Sequence, residues 1–178
     1  MRDLSYDSLS DRFSINTASA QLTRIPKMFK APKLTYIGFA FLSISSIESY
    51  AISHLPLLEY LKIIYNMGNL TLSTDSLNLP VNNNFQQLDI TYTTLEFQPG
   101  FITNLNPTAS FTFEGSMINT FDKEVFYDIF NSFASCAECD HNHNDGHIID
   151  FGSLNCDCNI LWILEEQAFL DVINEYRT

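Results

Sequence analysis

Basic residues are scarce. Nine Lys+Arg stand against 21 Asp+Glu in 178 residues, a formal net charge of −12. No Lys/Arg cluster of five or more occurs, which argues against nucleic acid and against docking on an anionic membrane, because both need positive charge at phosphate. No run of 18 apolar residues occurs either, so insertion into a membrane is not expected. Only six glycines are present, and G-x-S-x-G, H-E-x-x-H, G-x-G-x-x-G and a phosphate loop are all missing. Catalysis and bound cofactors are therefore not expected. Residues 1–11 are polar and lack the apolar centre of a signal peptide, so the chain is either not secreted or a trimmed piece of a longer precursor.

What is present is apolar. Hydrophobic residues make up 46%, with 15 Phe, enough to exclude disorder and to build one domain with a sizeable core. Short apolar-x-apolar units recur at Phe13-Ser-Ile15, Ile37-Gly-Phe39, Leu61-Lys-Ile63, Leu88-Asp-Ile90 and Phe111-Thr-Phe113. Their second apolar positions step by 24, 24, 27 and 23 residues, and Ile149-Asp-Phe151 follows after a longer insertion. A repeat of this length marks a solenoid: one strand and its return segment cannot bury an apolar face alone, and stacked copies share a core.

The local pattern is Leu58-x-x-Leu61-x-Ile63-x-x-Asn66, with Leu34-x-x-Ile37-x-Phe39 and Phe85-x-x-Leu88-x-Ile90-x-x-Thr93 as variants. It resembles the leucine-rich-repeat family. The resemblance implies an α/β repeat solenoid: a right-handed superhelix with a parallel concave sheet, an irregular convex side and a C-terminal cap helix. The ninth position, normally an Asn that bonds the turn backbone, is Leu42, Asn66, Thr93 and Ser116. Residues 1–12 then form an N-terminal extension or truncated repeat, 13–155 the repeats and 156–178 the cap.

All four cysteines lie late. Cys156-Asp-Cys158-x-x-x-Trp162-x-Leu164 is similar to the cysteine cap of extracellular leucine-rich-repeat proteins, and to an arthropod set of them that includes non-catalytic luciferase subunits. The resemblance implies disulfides among Cys136, Cys139, Cys156 and Cys158 and an extracellular or secreted protein. Four cysteines allow three pairings, and the further cysteines usual downstream in such caps are missing. A cap helix over about 160–173 would place Leu161, Leu164, Ala168 and Val172 on one apolar stripe, widened by Ile160, Trp162 and Ile163. The alternative is an intracellular zinc protein using the same four cysteines, with His141, His143 and His147 between the pairs. The stretch Asp140–Gly146 matches a calcium loop poorly, because its Gly and position-twelve residues fall out of register.

In such a solenoid the outward residues of the concave strands make the contacts. Here they are Tyr36, Tyr60, Lys62, Tyr65, Gln87, Asp89, Thr91, Tyr92, Thr112 and Glu114. Tyrosines give contact area and a polar tip at low entropy cost, so this face is expected to bind a protein partner. Asn69-Leu-Thr71 is a glycosylation sequon in the loop expected after the third strand.

Overall fold

The computed structural model describes residues 11–16, 22–27, 31–81, 84–106, 108–134, 149–150, 153–154, 161–167 and 169–170. The recurring apolar-x-apolar units form one parallel sheet, added edge to edge in chain order. Its strands are β1 (Arg12–Asn16), β3 (Tyr36–Ala40), β5 (Tyr60–Ile64), β8 (Gln87–Thr91), β11 (Ser110–Thr112) and β13 (Ile149–Asp150). The register aligns Phe13, Ile37, Leu61, Leu88, Phe111 and Ile149 in one row, and Ile15, Phe39, Ile63 and Ile90 in the next. Five of the six strands are those the 23–27-residue steps predict, and the sixth is the one expected after the longer insertion, at Ile149.

The return segments differ from expectation. They are not irregular but carry a second six-stranded parallel sheet: β2 (Arg24–Ile25), β4 (Ser46–Ile47), β6 (Asn69–Leu72), β9 (Thr94–Phe97), β12 (Met117–Ile118) and β14 (Ser153–Leu154). The cause is alternation. Leu70 and Leu72 point inward with Leu95 and Phe97 in register, while Asn69, Thr71, Thr94 and Glu96 remain outside. A third, minimal pairing joins β7 (Leu77–Asn78) to β10 (Ile102–Thr103). The chain is a parallel β-solenoid. Leu61, Ile63, Leu70, Leu72, Leu77 and Leu79 of one coil are all essentially inaccessible to solvent.

Between the two sheets each coil turns a corner, and two ladders hold it. Inside the corner lies the polar ninth position. Asn66 is buried and bonds the preceding turn on both sides: its Oδ1 accepts from the Ile44 N–H at 2.6 Å and its Nδ2 donates to the Ile44 carbonyl at 2.8 Å. Nδ2 also reaches the Gly68 carbonyl and Thr93 Oγ1. Thr93 Oγ1 donates to the Gly68 carbonyl at 2.6 Å, and Ser116 Oγ donates to the Ile90 carbonyl at 3.0 Å. Leu42, apolar and 3% exposed, needs no such bonds, because Asn66 of the next coil serves the turn that follows it.

Outside the corner, Phe41, Tyr65 and Tyr92 adopt positive φ (56°, 52° and 55°), as does Gly115 (64°). A left-handed non-glycine residue costs about 1–2 kcal/mol. The three rings stack at 5.0 and 4.7 Å with interplanar angles of 8° and 10°, and such pairs recover about 0.5–1.5 kcal/mol each. The ladder ends at Gly115, where a Cβ would lie 2.5 Å from the Tyr92 ring. The conformation favours glycine there, and the space left by the Tyr92 ring requires it.

An aromatic cluster fills the end of the core at the last coils. Helix α1 (Lys123–Ala134) buries Val125, Phe126, Ile129 and Phe130. Phe121 stacks on Phe126 at 4.2 Å, and Trp162 lies parallel to Phe121 at 5.9 Å and edge-on to Phe130 at 5.8 Å. Trp162 Nε1 donates to the Phe121 carbonyl at 3.1 Å. Of the helix expected over 160–173, the described residues form α2 (Leu161–Leu164) and a helical turn again at 167 and 169–170. Only part of the expected stripe is buried: Trp162 and Ile163 are, together with Phe169, but Leu161 and Leu164 are 52% and 62% exposed. The large aromatic rings, which find partners in the Phe cluster, turn the segment by one residue relative to the leucine pattern. Ile160, Ala168 and Val172 lie outside the described residues, as do all four cysteines and the histidines between them.

Candidate binding face

The outward side of the first sheet collects most of the residues expected at a contact surface. The register places Tyr36, Tyr60, Gln87 and Ser110 in one row across four strands, and Gly38, Lys62, Asp89 and Thr112 in the next. Strand pleating sends these side chains away from the core while Leu61, Ile63, Leu88 and Ile90 point into it.

The rows are wired sideways. Arg12 lies 4.3 Å over the Tyr36 ring, a cation–π contact. The Tyr36 ring folds across its own strand onto Gly38, where a Cβ would lie 2.7 Å from the Tyr36 hydroxyl oxygen. The Tyr60 hydroxyl donates to Gln86 Oε1 at 2.6 Å. Lys62 pairs with Asp89 at 2.6 Å, and Gln87 Nε2 donates to the other Asp89 oxygen at 2.8 Å. Asp89 is therefore only 8% exposed yet has both carboxylate oxygens engaged, which is the condition for keeping a charge at a desolvated position. Thr91 also faces outward but is covered by its neighbours at 8% exposure.

Tyr65 and Tyr92 do not belong to this face. Both sit one residue beyond their strands, at the left-handed corner, where their rings stack on each other and on Phe41. They expose their edges (45% each) on a separate ridge. Glu114 lies beside that ridge, exposed, with its carbonyl accepting from the Tyr92 N–H. The expected set of ten thus divides into a sheet face and a corner. Gly38 and Phe41, which complete the two groups, escaped the sequence reading; their positions one and two strand steps from Ile37 and Phe39 were the available signal.

Asn69 opens β6 instead of lying in a loop, and its side chain is exposed. At the opposite corner, Tyr50 and Asp75 share positive φ (both 60°), and the Tyr50 hydroxyl donates to Asp75 Oδ2 at 3.0 Å. That bond, together with the carboxylate's charge, raises the Tyr50 phenol above its ordinary value. No helix among the described residues is long and apolar enough to cross a membrane.

No family model, curated protein or solved structure matches the chain.

Proposed function

We propose that the chain is a non-catalytic binding module of the extracellular leucine-rich-repeat type, which engages a protein partner through the outward face of its first sheet. The observation that carries this reading is the pair of adjacent rows there: Tyr36 and Tyr60 beside a fixed Lys62–Asp89 pair. Tyrosines held in place by neighbours present contact area with little entropy left to lose, and a positioned charge pair gives orientation. The ninth-position Asn66, bonded to the turn backbone as leucine-rich repeats require of that residue, supports the repeat type. The cysteines, as disulfides, would belong to a secreted cap, and a companion role beside a catalytic subunit fits the arthropod resemblance.

The test is a pull-down from secreted material with wild-type protein, the Tyr36→Ala/Tyr60→Ala variant and a second-sheet control, Thr71→Ala/Glu96→Ala. The expected outcome is a partner retained by wild type and control and lost by the tyrosine variant. Equal retention by all three would remove the sheet face from the function.

A further inference from the structure

Where the chain enters the first sheet, three successive coils enclose an open groove of about 540 Å³. Its described lining is polar apart from the Tyr60 ring. Four carboxamides, Asn84, Gln86, Gln87 and Asn106, contribute half of it, with the Glu59 carboxylate, the Tyr60 ring and the Thr108 and Ser110 hydroxyls. We infer that this groove binds a neutral oligosaccharide.

The backbone here is already committed: the Gln86 and Gln87 N–H groups donate to the Glu59 carbonyl, and the Ser110 N–H to the Gln86 carbonyl. Recognition must come from side chains. Asn106 is structural, since its Oδ1 accepts from the Thr108 N–H and hydroxyl and its Nδ2 donates to the Phe85 carbonyl. The Thr108 and Ser110 hydroxyls donate to Asn106 Oδ1 and the Gln86 carbonyl, and Gln86 and Gln87 are half-engaged. Gln86 gives its Oε1 to the Tyr60 hydroxyl, which leaves its Nε2 donors for a ligand. Gln87 spends its Nε2 on Asp89 and leaves its Oε1 as an acceptor. Asn84 adds a donor and an acceptor, and Glu59 two acceptor oxygens.

This is a fixed mixture of donors and acceptors, and sugar hydroxyls are both. The remaining ligand classes fit badly. An anion would meet Glu59 and no cation among the described lining residues. A lipid would meet almost no apolar surface. A peptide strand needs pockets for its side chains as well as backbone bonds, and the lining offers none. The Tyr60 ring supplies the single apolar plate on which the C–H face of a pyranose can lie. The groove shares Tyr60 and Gln87 with the protein-binding face but does not rest on that reading, and either can fail alone.

The experiment is a ¹H–¹⁵N titration of the full chain with hexamers of maltose, cellulose, chitin, mannan and xylan type. Trigalacturonate and an alanine-rich peptide serve as the anionic and peptide arms, each up to about 20 mM, which reaches millimolar Kd values. At least one neutral hexamer should give saturable shifts centred on residues 59–60, 84–87 and 106–110. Gln86→Glu keeps the Tyr60 acceptor and removes the Nε2 donors; it should weaken that binding at least tenfold with an unchanged urea midpoint, and Asn84→Ala should weaken it as well. Glu96→Ala, on the second sheet, should leave it unchanged. No saturable shift with any neutral hexamer, shifts centred elsewhere, or equal binding of trigalacturonate or the peptide in the groove would overturn the assignment.

Discussion

Replacing Asn66 by alanine should cost more than any other polar substitution in the solenoid. At 4% exposure the side chain reaches four groups: its Oδ1 accepts once, and its two Nδ2 hydrogens are shared among three acceptors. Two of the partners survive its loss, because the Gly68 carbonyl and Thr93 Oγ1 still bond each other at 2.6 Å. The other two, the N–H and carbonyl of the inaccessible Ile44, lose the partner Asn66 provides. A buried polar group without a partner costs about 1–3 kcal/mol, so the variant, which leaves two, should lose about 2–6 kcal/mol. That is a large share of the roughly 5–15 kcal/mol typical of a domain. With a urea slope of about 2 kcal/mol/M, the midpoint should fall by about 1–3 M. Trp162 is the only tryptophan and is 7% exposed, so its emission reports unfolding at the C-terminal end, while circular dichroism reports the whole sheet. Stacked repeats communicate through their neighbours, so both signals should shift together. A loss below about 0.5 kcal/mol would refute the reasoning and mean that water or a backbone shift serves Ile44 equally well.

Further outcomes are expected elsewhere. Gly115→Ala should destabilise by about 1–3 kcal/mol in the same urea assay, from the left-handed backbone and the displaced Tyr92 ring; a neutral result would mean the ring stack is not what holds the corner. Trp162→Ala should lose about 3–5 kcal/mol by opening a cavity among Phe121, Phe130 and Phe169, whereas Trp162→Phe should lose less, retaining the packing but not the bond to the Phe121 carbonyl. The Tyr50 phenol should titrate above a free tyrosine by NMR, and Asp75→Asn should bring it back down; asparagine tolerates the positive φ of that position. Because the phenol's value is raised on folding, its contribution to stability is complete below the unfolded tyrosine pKa and is lost as pH rises through the folded one.

The first sheet was legible because its strands follow period two within a period near 24, and each inward pair, such as Leu61 and Ile63, repeats in register. The second sheet was written just as clearly in Leu70-x-Leu72 and Leu95-x-Phe97, yet its strands run two to four residues, short enough to pass for irregular return segments. Helix α1 was not anticipated, although Val125, Phe126, Ile129 and Phe130 are spaced to lie on one helical face; it falls in the longer insertion before the last strand. The corner was not readable. Aromatic residues seldom take positive φ, and nothing local to Tyr65 or Tyr92 announces it; the clue is Gly115, one coil on. At the C-terminal end, leucine spacing suggested the wrong buried face, because packing against the Phe121 ring favours Trp162 over Leu161 and Leu164. The groove escaped because Asn84, Gln86 and Gln87 meet Glu59, Tyr60 and Asn106 only through the stacking of neighbouring coils, which no local pattern announces.

The proposed role is tested most directly by where a partner touches the chain. A photo-crosslinking amino acid placed at Tyr60 on the first sheet, and separately at Thr71 on the second, should be exposed to the same secreted material. A discrete crosslinked partner is expected from position 60 and none from position 71. Crosslinking from 71 and not from 60 would contradict it.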